Sequence, residues 1–151
     1  MEASQFHILI NHYPMILTFV GMILIALGIW RKHDKSTRAA YWIFAAVMLI
    51  GTASFATGEI AGHQNRMLTG PAGDAVRAHQ QASRLAFLSI GCAGLASVFG
   101  LVTSYRKSAI TKWSAVIALI IAIAGSILVT RTTLLGRQIK FADVGSAAIS
   151  K

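Results

Sequence analysis

Four stretches of this chain are long and free of Asp, Glu, Lys and Arg: residues 8–30, 39–58, 85–105 and 113–130. A membrane-spanning helix takes about 20 apolar residues, so each stretch is long enough to cross a bilayer. Lipid offers no partner to an open backbone, and each stretch can satisfy its own amides only as a helix. Short turns join successive spans. The expected fold is therefore all-α, an integral membrane antiparallel four-helix bundle in a single domain over residues 1–140, with a small polar tail over 141–151. Composition agrees: of 151 residues 55% are apolar, and at a mean hydropathy of +0.62 there are too few charges to solvate a globule of this size.

The beginning of the chain, Met1-Glu2, lacks the basic region of a signal peptide, and no small-residue cleavage site follows Trp30, so the first span is expected to stay in the protein. The one cysteine, Cys92, falls in the middle of the third span and has no partner for a disulfide. A net charge of +9 would suggest nucleic acid in a soluble protein. Here the basic residues flank spans and form no stripe with interleaved aromatics, which points to the lipid bilayer and to no nucleic acid.

The first helix is expected from about Gln5 to Trp30, and its mouth reads Phe6-His-Ile-Leu-Ile-Asn-His-Tyr-Pro14. Polar groups there are costly to dehydrate, so two imidazoles and an amide read as a site before they read as packing. His7 and Asn11 are four apart and share a face, whereas His7 and His12 diverge unless Pro14, which removes the bond to the carbonyl of Ile10, turns one of them. Residues 31–38 form a short basic loop in which His33 reads as a solvated residue. The second helix carries Tyr41 and Trp42 as an interfacial aromatic pair and ends Thr57-Gly-Glu59-Ile-Ala-Gly-His63, with Glu59 and His63 on one face. Gly58 and Gly62 have the spacing of a small-xxx-small contact.

Gly70, Pro71 and Gly73 supply turn chemistry, and Asp74 is a candidate N-cap for the third helix. That helix opens with Arg77, His79, Gln80 and Gln81 before entering lipid near Leu85. Gly91, Gly94, Ala96, Ser97 and Gly100 make its middle small, which favours close packing or leaves room for a planar cofactor. Residues 106–112 are again short and basic. The fourth helix starts near Thr111 and runs out to Arg131, Arg137 and Lys140.

Charge crowded into the two short turns beside the spans marks loops 1 and 3 as cytoplasmic, leaving both termini and loop 2 periplasmic. Whatever the orientation, antiparallel threading puts His7, His12, Glu59, His63, His79, Arg131 and Arg137 at one end of the bundle. Each has a plainer reading as an interfacial polar residue, and Glu59 can pair with Arg84 or Arg131 simply to join helices. Together they suggest a site. Axial ligation of haem b by His12 and His79, with His7 or His63 as further ligands and Arg131 and Arg84 facing the propionates, is one chemistry. A non-haem iron, copper or zinc ion on His7, His12, Glu59 and His79 is the other. No Cys-x-x-Cys-His, His-Glu-x-x-His or Glu-x-x-His motif narrows the choice.

His7-Ile-Leu-Ile-Asn-His12-Tyr-Pro14, Thr57-Gly-Glu59 and His79-Gln-x-Ala82 resemble the signature of a family of bacterial four-span inner-membrane proteins. In that family the first helix reads roughly His-x-x-x-Asn-His-Phe-Pro, the second ends Thr-Gly-Glu-Pro, and the third begins His-Glu-x-x-Ala. Ile60 and Gln80 depart from the pattern. The resemblance covers the first three helices and implies a bacterial inner-membrane location and a shared polar site at His7, His12, Glu59 and His79. The expected function is that of a haem b or metal-binding electron-transfer subunit, working with other membrane or periplasmic redox subunits of a respiratory or photosynthetic complex. A non-haem metal-binding enzyme or carrier, and an accessory structural subunit, are the alternatives.

Overall fold

A computed structural model describes the backbone of residues 12–64 and 70–149 and the side chains of 12–60, 70–71 and 73–137. His7, Asn11 and the side chains of Gly62, His63 and Lys140 lie outside the described residues. Four helices account for nearly all of the rest: α1 (His12–Arg31), α2 (Asp34–Gln64), α3 (Gly70–Tyr105) and α4 (Thr111–Ile149). All four are long and apolar enough to cross a membrane. Each packs on its neighbours in sequence, and α1 meets α4 along the least extensive of the four seams.

What is inside and what is outside follows from the solvent. In lipid, large aliphatic side chains gain nothing by meeting each other, so interfaces favour small residues that let backbones approach. Ala40, Ala86, Ala93, Ala115, Ala118 and Ala122 are buried, while Ile23, Leu49, Leu88, Leu95, Ile120 and Ile127 face outward. A soluble bundle would reverse this pattern. Large buried side chains are few, and they sit where glycine makes room: the Phe44 ring lies 2.8 Å from where a Cβ on Gly21 would be, and Met48 and Tyr41 fill the hollows at Gly94 and Gly100. The hollows at Gly94 and Gly100 in the small middle of α3 are thus occupied by α2, while a Cβ at Gly91 would meet nothing within 4 Å. Cys92 is exposed on the same helix.

Tyr41 is fully buried, unlike the lipid-facing residue expected beside Trp42. Its hydroxyl pairs with Ser114 Oγ at 3.1 Å, which in turn meets Thr103 Oγ1 at 3.3 Å, so one polar chain ties α2, α3 and α4. Nearby, Arg38 donates from Nε to Ser104 Oγ at 2.8 Å and lies over the Tyr105 ring. Among the described residues, Ser97 Oγ is the buried side-chain polar atom with no hydrogen-bond partner.

Both basic turns end their helices in the same way. Lys32 and Lys107 adopt φ of 52° and 51°. His33 N–H donates to Gly28 O at 2.9 Å and Ser108 N–H to Thr103 O at 3.0 Å, the six-to-one bond that closes a helix around a left-handed residue. The first turn is tighter than expected, because α2 begins at Asp34. His33 is exposed but is no idle loop residue: its Nδ1 accepts from Ser36 N–H at 3.3 Å and contacts Ser36 Oγ at 2.8 Å, capping α2. His33→Ala should therefore lower stability by about 0.5 kcal/mol, as for other lost caps. His33→Asn should restore it, read as thermal unfolding by circular dichroism in detergent.

Two further boundaries differ from expectation. α3 begins at Gly70, so Asp74 is inside its first turns, where it pairs with Arg77 on an exposed face instead of capping the helix. The segment 141–149, set apart as a tail, continues α4 as helix. At about 1.5 Å per residue, α3 and α4 exceed a bilayer core of about 30 Å, so they extend past it at the end opposite the basic turns.

Candidate functional site

At that end the described residues line a half-open cavity of about 60 Å³ among all four helices. Its floor is apolar, from Gly51, Ala86, Ile90 and Val129, and Phe55 and Phe87 stack at 4.5 Å between ring centroids to wall it between α2 and α3. Its rim is polar: Ser54 and Glu59 from α2, His79, Gln80 and Ser83 from α3, Thr132 and Thr133 from α4, with Pro14 of α1 beside them. The antiparallel threading thus gathers Glu59 and His79 at one cavity, as the sequence predicts.

His79 is held by its neighbours. Its Nδ1 lies 3.0 Å from the carbonyl oxygen of Thr132, which can only accept, so Nδ1 carries the proton. In the neutral ring Nε2 then bears the lone pair. A Cβ on Gly136 would stand 3.2 Å from His79 Cε1, so the absence of a side chain there lets the ring lie against α4.

Three hydroxyls on the rim, those of Ser83, Thr132 and Thr133, spend their protons on their own helices. Ser83 Oγ donates to Gln80 O at 2.8 Å, Thr132 Oγ1 to Leu128 O at 2.9 Å and Thr133 Oγ1 to Val129 O at 3.0 Å. Oxygen atoms that donate inward offer only lone pairs elsewhere. With the Glu59 carboxylate, the rim is rich in acceptors and suits a cation or a proton-donating ligand.

Glu59 meets Arg84 Nε at 3.6 Å, from α2 to α3, which realises one of the two pairings expected for it. The side chains are 26% and 61% exposed, so water screens the pair and it contributes at most about 1 kcal/mol. Arg84 is turned away from the cavity lining, and Arg131 and Arg137 are exposed on α4. His12 is exposed at the start of α1 and does not line the cavity, although Pro14 two residues on does. His7 and His63 lie outside the described residues. Among those described, no three His, Cys, Asp or Glu side chains cluster as a ready-made metal site.

The half-open space of about 60 Å³ has room for an ion with its waters. Imidazole and carboxylate donors fit iron, copper or zinc.

Thr132, Thr133, Gly136 and the Phe55–Phe87 stack are missed by a reading of the sequence. The paired threonines directly after Arg131, at the height of His79, are the signal that could have found the α4 wall. No family model, curated protein or solved structure matches this chain.

Proposed function

We propose that this protein is a multi-pass membrane subunit that holds one first-row metal ion at the polar end of its bundle, with His79 and Glu59 as donors from within the bundle. The sequence offers His12, exposed at the start of α1, and His7, outside the described residues, as further donors. The observation that carries this reading is the His79 Nδ1–H bond to the Thr132 carbonyl, since metal-binding histidines commonly donate the other ring N–H in this way, which sets the tautomer and aims Nε2. Iron or copper would supply one-electron chemistry, and zinc Lewis acidity. The chain's own residues orient the imidazole, supply the carboxylate, and keep the space beneath the rim apolar.

With the basic turns on the cytoplasmic side, the site faces the periplasm of a bacterial inner membrane, where a redox partner can reach it. With iron or copper bound, the protein works as an electron-transfer subunit of a larger complex; with zinc, it works as a non-haem metal enzyme or carrier. A second reading has its own support: the Glu59–Arg84 pair joins α2 to α3 and His79 joins α3 to α4, as a purely structural cluster would.

Metal analysis of the purified full chain, with visible spectra before and after dithionite, separates these. About one iron, copper or zinc per chain is the expected result. Soret and α bands would replace the ion with haem b, and metal-free protein would leave an accessory structural subunit.

A further inference from the structure

The opposite end of the molecule carries a much larger space, about 630 Å³, which the polar site does not use. It lies where the end of α1 and the start of α4 come together, the least closely packed seam of the bundle. Two lysines, Lys32 and Lys112, share its lining with the single acid Asp34. Below them the wall is apolar: Ile29, Trp113 and Val116, of which Ile29 and the strongly exposed Trp113 face outward to where lipid lies.

Three observations point to one kind of occupant. The turns at this end carry Arg31, Lys32, Lys35, Arg38, Arg106, Lys107 and Lys112 against Asp34, so the potential favours an anion. A free anion would have no use for the apolar wall, whereas an amphiphile fills both parts. Lys32, just past the end of α1, and Lys112, in the first turn of α4, bring two cations from different elements to the one space. We propose that this groove binds one anionic phospholipid, with the phosphate between Lys32 and Lys112 and the start of an acyl chain along Ile29, Trp113 and Val116. Basic pockets between membrane helices recognise headgroups in this manner.

Native mass spectrometry of the full chain in mild detergent, titrated with phosphatidylglycerol or phosphatidylcholine, tests it. Phosphatidylglycerol should bind at least about ten-fold more tightly, given about five-fold from each lysine. Lys32→Gln and Lys112→Gln should each weaken phosphatidylglycerol about five-fold and phosphatidylcholine, whose choline cation offsets its phosphate, much less. Lys107 occupies the same kind of turn outside the groove, so Lys107→Gln should change neither. All three lysines are exposed, and the substitutions should leave the helical circular dichroism intact. Equal binding of the two lipids, or an equal loss in Lys107→Gln, would overturn the proposal. So would displacement of phosphatidylglycerol by an equal concentration of inorganic phosphate, which would mark a site for the free anion.

Discussion

His79→Ala should reduce metal in the purified protein from about one ion per chain to background, a loss of more than about 100-fold in affinity, because it removes the one donor whose orientation the fold controls. The supporting bond goes to a backbone carbonyl and cannot be deleted by substitution, but it can be disturbed from the other side. Gly136→Ala would place a methyl 3.2 Å from His79 Cε1 and 3.4 Å from Nδ1, so the ring must give by a few tenths of an ångström. We expect about ten-fold weaker metal binding from that change, with the helical content retained. Competition with a coloured chelator measures both. If the histidine only staples α3 to α4, both variants will lose thermal stability while their metal content stays at that of the parent.

Gly100→Ala should destabilise the bundle by about 3 kcal/mol, the upper end for an overpacked core. The added methyl would overlap Tyr41 Cζ and come within 2.7 Å of its hydroxyl oxygen. That ring has nowhere to go. It is fully buried, packed in one cluster with Ile25, Phe44, Leu101 and Ala118, and its hydroxyl is engaged with Ser114 on α4. Gly91→Ala, two turns earlier on α3, is the control: nothing lies within 4 Å of the added carbon, and removing glycine from a helix should gain about 0.5–1 kcal/mol. Unfolding by sodium dodecyl sulfate titration, followed by circular dichroism, should rank Gly91→Ala, parent and Gly100→Ala in falling order. Equal midpoints for the two variants would show that α2 and α3 do not approach as described.

The contrast between those two glycines shows where reading the sequence runs out. Gly91 and Gly100 belong to one run of small residues, and composition gives no means of telling them apart. A planar cofactor was a fair expectation for that run. Met48 and Tyr41 of α2 fill the hollows at Gly94 and Gly100 while Gly91 meets nothing, and which side chain reaches which hollow depends on the rotation of two helices about their axes. Tyr41 illustrates the same point: beside Trp42 and a basic turn it has the context of an interfacial anchor, yet adjacent residues on a helix point about 100° apart, and the rotation of α2 turns Tyr41 inward and Trp42 outward. His33, too, gains its role from local geometry, because a left-handed Lys32 aims it at the first turn of α2.

Four charge-free stretches joined by short turns left only one class of fold, since a backbone in lipid must bond to itself and short turns force neighbouring helices to run antiparallel. From that threading alone Glu59 and His79 had to meet at one end of the bundle, away from the basic turns. Tertiary structure decided how they meet: that both line one half-open cavity, that Arg84 reaches Glu59 while Arg131 stays outside, and that His12 begins α1 without lining the space. Sequence spacing determines height along a helix, but which side chains touch depends on how each helix is rotated, and that is set by the packing of small residues against their neighbours.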